Sequence, residues 1–170
     1  MKVIILNNKM FNYEHISSLK KELNSINIII SETASIGNNT KIGENTKIGD
    51  NTRIGNNTRI RKNSRIGDNV TIGDDVTIGD NAVICDDVTI GDNANIDNDS
   101  SISRSVVITA LRFTVSWYNN GYIAIGCKTL SIEQWQDHYI QIGVEYNLTT
   151  KEIAEYKVYI DFCASMQELV

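Results

Sequence analysis

Two histidines and three cysteines are all the imidazole and thiol ligands that this 170-residue chain offers to zinc. His15 and His138 lie far apart, and Cys85, Cys127 and Cys163 lack the spacing of a ligand set, so a catalytic zinc centre would have too few donors. An odd cysteine count without a disulfide framework suits a reducing compartment, and buried structural thiols are the expectation. No apolar run approaches the length that spans a bilayer, and Met1-Lys-Val-Ile-Ile-Leu6 is too short for a signal peptide. The chain therefore reads as cytoplasmic, with no membrane partner. None of its glycines opens a helix, which removes a phosphate-binding loop. No metal and no cofactor is implied.

What the chain has in abundance is isoleucine at one spacing. It recurs every sixth residue, without a skip, from Ile30 to Ile108. No helix or flat strand has that period, so nearly half the chain is one repeated unit. Most repeats read like Ile42-Gly-Glu-Asn-Thr-Lys47 or Ile72-Gly-Asp-Asp-Val-Thr77. Each is expected to be a short strand plus a corner. Isoleucine should point inward, together with a small or β-branched residue four positions later: Thr40, Thr46, Thr52, Thr58, Ser64, Val70, Val76, Ala82, Val88, Ala94, Ser100 and Val106. Glycine is expected to supply the bend, aided by Asn or Asp two places on, which visit left-handed geometry cheaply.

This pattern resembles the hexapeptide-repeat family, whose left-handed parallel β-helix coils through three hexapeptides per turn. The resemblance covers Ile30 to Val107. It implies about four coils, with positions eighteen apart stacked ~4.8 Å from one another. Three inward ladders follow: Ile36, Ile54, Ile72, Ile90 and Ile108; Ile42, Ile60, Ile78 and Ile96; Ile30, Ile48, Ile66, Ile84 and Ile102. Each buried isoleucine should contribute ~1.5–3 kcal/mol. The fold class expected is mainly β, a β-helix with an N-terminal strand-helix cap and a C-terminal β-hairpin plus two helices.

Three segments result: a cap over 1–29, the array over 30–108 and an appendage over 109–170. The cap reads as a strand from Lys2 to Leu6, then a helix from about Tyr13 to Leu23 with Asn12 as its N-cap and Ile16, Leu19 and Leu23 on one face. In the appendage, the runs 112–118 and 122–127 flank Asn119-Asn-Gly121 and predict a hairpin. Ser131 with Gln134, and Thr149 with Glu152, are spaced as capping boxes opening two helices. The runs Arg112-Phe-Thr-Val-Ser-Trp-Tyr118 and Glu155-Tyr-Lys-Val-Tyr-Ile160 resemble an appendage of β-helical proteins encoded by phages and prophages, some of which are anti-CRISPR inhibitors.

Charge is divided along the array. Between Ile30 and Arg65 seven basic residues face three acidic ones, whereas between Ile66 and Val107 nine aspartates face Arg104 alone. The hexapeptide resemblance also implies acyltransferase activity, a trimer, a histidine base at a subunit boundary and an extruded acyl-donor loop. The array has no histidine and no such loop. The function expected on these grounds is a non-catalytic, phage-encoded binding protein that inhibits a host protein directed at nucleic acid. Its contacts would be Asp50, Asp68, Asp74, Asp86 and Asp92 imitating a phosphate backbone, the basic cluster Arg59, Arg61 and Lys62, and the aromatic pair Trp117 and Tyr118. A homo-oligomer is expected, a trimer by resemblance or a dimer through the tail. The alternative is an acyltransferase moving an acyl group from acyl-coenzyme A to a sugar or amine, with His138, next to Asp137, as the histidine to test.

Overall fold

Backbone amides set the form of this computed structural model, which describes residues 2–110, 112–119 and 121–169. In the array, the N–H of an outward strand residue donates to the carbonyl seventeen positions on: Lys41 to Thr58 at 2.8 Å, Arg59 to Val76 at 2.8 Å, Thr77 to Ala94 at 2.9 Å. That offset places Ile42 beside Ile60, Ile60 beside Ile78 and Ile78 beside Ile96 in parallel register. The coil therefore closes every eighteen residues, as the repeat implies, and the chain forms a left-handed parallel β-helix. Its strands begin with β3 (Ile29–Ile30), β4 (Ser35–Ile36) and β5 (Thr40–Ile42), and continue at six-residue spacing to β15 (Ser101–Ile102).

The interior is filled as expected. The ladder isoleucines from Ile30 to Ile102 belong to one core, joined in the later coils by Val70, Val76, Ala82, Val88 and Ala94. In the early coils the second inward position is polar, and burial demands a partner for each hydroxyl. Each has one: Thr40 donates to the carbonyl of Gly55 (3.1 Å), Thr52 to Gly67 (2.8 Å), Thr58 to Gly73 (3.0 Å) and Ser64 to Gly79 (2.9 Å).

The corners correct the expected role of glycine. The left-handed residue is the Asn or Asp, from Asn39 (φ 57°) through Asp75 (φ 58°) to Asp99 (φ 59°), while the array glycines keep ordinary φ values. Their constraint comes from the next coil. A Cβ built on Gly37, Gly43, Gly55 or Gly79 would lie under 3.0 Å from backbone atoms one turn away. Glycine is needed for close approach, not for conformational freedom.

The cap differs from the sequence reading. Asn7 (φ 46°) and Asn8 (φ 61°) form a left-handed two-residue turn, which folds β1 (Lys2–Leu6) onto β2 (Lys9–Tyr13) as an antiparallel hairpin. Asn12 lies in β2 and caps no helix. The helix is shorter than expected, a 3-10 turn at Ile16–Leu19 followed by α1 (Lys20–Ser25). Its apolar face is as predicted, with Ile16, Leu19 and Leu23 buried over the end of the prism. β1 extends the prism wall, pairing in parallel with β5.

The array also ends sooner than its isoleucines do. Val106 and Ile108 leave the coil in β16 (Ser105–Ile108), which pairs antiparallel with β17 (Val115–Tyr118). With β18 (Tyr122–Ile125) and β19 (Lys128–Ser131), the expected hairpin becomes a four-stranded meander. Both expected capping boxes are present, opening α2 (Ile132–Glu145) and α3 (Thr150–Gln167). The sheet is sandwiched, so strand alternation divides its side chains between two cores. Val115, Trp117, Ile123 and Ile125 pack with Trp135, Tyr156, Ile160 and Cys163 from the helices, whereas Tyr118 and Ala124 join the prism core.

The close stacking at the corners makes a direct prediction. Gly55→Ala forces a methyl group against the Gly73 backbone and should destabilise the protein by about 1–3 kcal/mol through overpacking. A lowered urea midpoint with an unchanged slope is the expected result in equilibrium unfolding.

Candidate functional site

The aspartate columns stack where the repeat puts them, and their carboxylates are already engaged. Asp68 accepts the backbone N–H of Asp50 (2.7 Å), Asp86 that of Asp68 (2.8 Å), Asp74 that of Asn56 (2.6 Å) and Asp92 that of Asp74 (2.8 Å). Asp50 in turn accepts from the hydroxyl of Ser31. These five carboxylates fasten one corner to the next. Beside them runs a ladder of side-chain amides, Asn27 to Asn45, Asn63, Asn81 and finally Asp99, with steps of 3.0, 3.0, 3.0 and 2.9 Å.

The basic residues are less committed. Lys41 and Arg59 are neighbours in register, as are Lys47 and Arg65. Arg59, Arg61 and Lys62 are exposed, and among the described residues no carboxylate lies within 4.0 Å of them. Lys62, which the eighteen-residue stacking sets between Glu44 and Asp80, forms no ion pair with either.

Trp117 and Tyr118 are not on the surface at all. Both are fully buried at the junction of tail and prism. The indole N–H of Trp117 reaches Gln167 at 3.3 Å. The hydroxyl of Tyr118 accepts the backbone N–H of Gly91 at 3.2 Å, which finishes an open coil edge. The pair seals this chain internally and presents nothing to a partner.

Concave polar chemistry lies at the opposite end. A groove of about 260 Å³ opens between the β1–β2 hairpin and β4, lined among others by Lys2, Glu14, His15, Ser17, Glu32 and Ser35. The chain reverses at Asn7-Asn8, runs back through β2 and delivers Glu14 and His15 to this rim. His15 is extended (φ −128°, ψ 142°), and its carbonyl is held by the N–H and hydroxyl of Ser18 at 3.1 and 2.7 Å. The backbone is thus fixed and the imidazole is left exposed. Lys2 Nζ donates to Ser35 Oγ at 3.4 Å. Arg53 pairs in register with Ser35, so a further positive charge sits one strand below the groove.

His138, the histidine singled out with Asp137, lies on the exposed face of α2, with Nδ1 3.0 Å from the carbonyl of Gln134 in its own helix. Sequence reasoning gave His15 no role because the hairpin that carries it was not foreseen. The signal available was Asn7-Asn8, followed by the alternating Phe11 and Tyr13. No cluster of three or more His, Cys, Asp or Glu side chains able to hold an ion occurs among the described residues. No described helix is long and apolar enough to cross a membrane.

Comparison with known proteins bears on the functional expectation. The family model for the EIF2B subunit epsilon LbH domain matches residues 7–113. No curated protein sequence matches. Among solved structures, serine acetyltransferase isoform 3 from Entamoeba histolytica, in complex with cysteine, is 29% identical over 51% of this chain and 39% of that one, with a TM-score of 0.35. A GDP-perosamine N-acetyltransferase variant from Caulobacter crescentus, in complex with CoA and GDP-perosamine, is 16% identical over 52% of this chain and 55% of that one, with a TM-score of 0.29. The chain thus spans only about two fifths to just over half of these proteins. The expectation of a non-catalytic, phage-encoded inhibitor is corrected by the family match, which is to the EIF2B subunit epsilon LbH domain and not to such an inhibitor.

The sealed junction yields a pH prediction. Burial pushes the Tyr118 hydroxyl up to about 12, whereas an unfolded tyrosine titrates near ~10. The folded state therefore holds this proton more tightly, and the associated stability is complete below pH ~10 and lost as pH rises through the folded value. Urea midpoints should fall between pH 10 and 12, with a smaller fall in Tyr118→Phe.

Proposed function

Because the chain belongs to the left-handed parallel β-helix family of the EIF2B subunit epsilon LbH domain, we propose that it uses this coil as an acyltransferase does. It would move an acyl group from acyl-coenzyme A to the hydroxyl or amine of a small acceptor, a sugar or an amine. The observation that carries this reading is the position of His15 in the 260 Å³ groove, with Glu14, Glu32 and two serine hydroxyls around it.

Acyl transfer needs a base that removes the acceptor's proton as its oxygen or nitrogen attacks the thioester carbonyl carbon. Imidazole suits that task because its unperturbed titration range straddles neutrality. The collapsing intermediate then expels the coenzyme A thiolate, which takes the proton back from His15. Lys2, at the groove wall, supplies positive charge for the oxyanion that develops at the carbonyl. Arg53 below Ser35 offers a seat for a phosphate of the donor. Thus the chemistry sits at the end of the prism, and the donor extends along its wall. The homo-oligomer expected for this coil belongs to the same proposal, since a second copy against the wall would deepen an otherwise open site.

Release of free thiol from acetyl-coenzyme A, followed with a panel of amino sugars and small amines, tests the reading. His15→Ala should lower kcat by about 100- to 10,000-fold, while His138→Ala leaves it unchanged. Equal turnover in wild type and His15→Ala, or no turnover with any acceptor, defeats the proposal.

A further inference from the structure

The N-terminal end of the prism closes its three walls in three different ways. On the first, β1 pairs with β5 and places Ile4 and Leu6 in the core. On the second, the hydroxyl of Tyr13 donates to the carbonyl of Ile36 in β4 at 2.9 Å. On the third, β3 ends its sheet, with a single strand partner at Lys47–Ile48. Ile29 and Ser31 send their N–H groups down to Thr46 and Ile48, at 2.9 and 3.0 Å. Strand alternation therefore turns the N–H and carbonyl of Ile30 to the open side. Among the described residues no strand pairs there.

Facing this edge is the helical part of the cap. Between them lies a second groove, of about 240 Å³, which adjoins the one that holds His15 and shares Ile16, Ser17 and Glu32 with it. Ile16, Leu23 and Ile28 give it an apolar floor, Lys20 and Asn24 stand on the helix side, and Glu32 on the strand side. Beside it Ile29 is 53% exposed. A helix set against an unpaired strand leaves room for one extended chain, the arrangement used in recognition by strand addition.

We propose that this groove binds an extended segment of another polypeptide, which adds to β3 as a further strand. The chemistry of that segment is given by β1, which does the same work one wall away: extended backbone, N–H and carbonyl groups in register with the coil edge, and an aliphatic side chain at every second position turned toward the core. Lys20 and Glu32 add polarity, favouring an acidic residue near the helix and a basic one near the corner.

A fluorescein-labelled synthetic peptide copying residues 2–8 is the probe. Anisotropy titration of the full chain should show saturable binding, weakened roughly tenfold or more when the backbone nitrogens of the two central isoleucines are methylated, because the strand donors are then lost. Asn24→Trp, which fills the groove from an exposed helix position, should abolish binding while the far-ultraviolet circular dichroism stays unchanged. Absence of saturable binding, or equal affinity of the methylated peptide, overturns the proposal. So does sedimentation showing that the wild type self-associates through this groove and that Asn24→Trp is monomeric, since a second copy would then be the occupant.

Discussion

One amide hydrogen bond, repeated seventeen residues away around the coil, governs most of this molecule. It fixes the length of every turn, because a single extra residue would rotate the isoleucine ladder out of the core. It also fixes how closely the corners lie over one another. Glycine is then required where backbone meets backbone, and Asn or Asp where the chain must turn with positive φ. Aspartate serves the corner twice, by tolerating that conformation in some positions and by accepting the N–H of the preceding coil in others. A column of carboxylates that resembles a ligand surface is thus a consequence of coil closure. The carboxylates of Asp50, Asp68, Asp74, Asp86 and Asp92 have their first use in joining one coil to the next.

A ladder of directional bonds must finish somewhere. The amide ladder from Asn27 passes its hydrogen bonds toward later coils and stops at Asp99, whose side chain accepts but has no N–H to pass on. The backbone ladder is finished at the later end by the tail. Tyr118 meets Gly91, and the hydroxyl of Ser105 accepts the N–H of Thr89 at 3.0 Å. The tail sheet can do this and still hold two helices because its strands bury both faces. Four consecutive buried residues from Val115 to Tyr118 would look anomalous in a two-sided hairpin; between a prism and a helix pair they are required.

Period, register and inward set were legible in the sequence because each is a property of one repeat copied many times. Ile42, Ile60 and Ile78 declare their stacking by spacing alone. The capping boxes at Ser131 and Thr149 were legible for a similar reason, since donor and acceptor lie three residues apart. What escaped depended on partners distant in sequence. Ile108 keeps the six-residue phase but pairs with Val115, a choice decided by the tail. Trp117 and Tyr118 looked like exposed binding aromatics because nothing local says that a sheet will be covered on both sides. Asn12 fits a helix cap by type, yet the turn at Asn7-Asn8 draws it into β2. The position of His15 was hidden by that same turn.

The ends of the prism hold the remaining chemical freedom for a physical reason. Along its sides the strand N–H groups pair with carbonyls one coil away, side-chain oxygens are drawn into corners, and inward hydroxyls are taken by carbonyls. On the walls the unspent capacity belongs to outward side chains such as Arg59, Arg61 and Lys62, whereas a concave polar surface forms where the eighteen-residue rule stops applying. At the later end the tail absorbs that freedom into a second core. At the earlier end the cap is thinner, only a hairpin, a 3-10 turn and a six-residue helix, and it cannot cover three walls equally. It leaves a polar concavity holding an imidazole beside two carboxylates, and next to it a strand edge with an apolar floor. Both features follow from a short cap on a triangular rod, and neither could arise within the repeat itself.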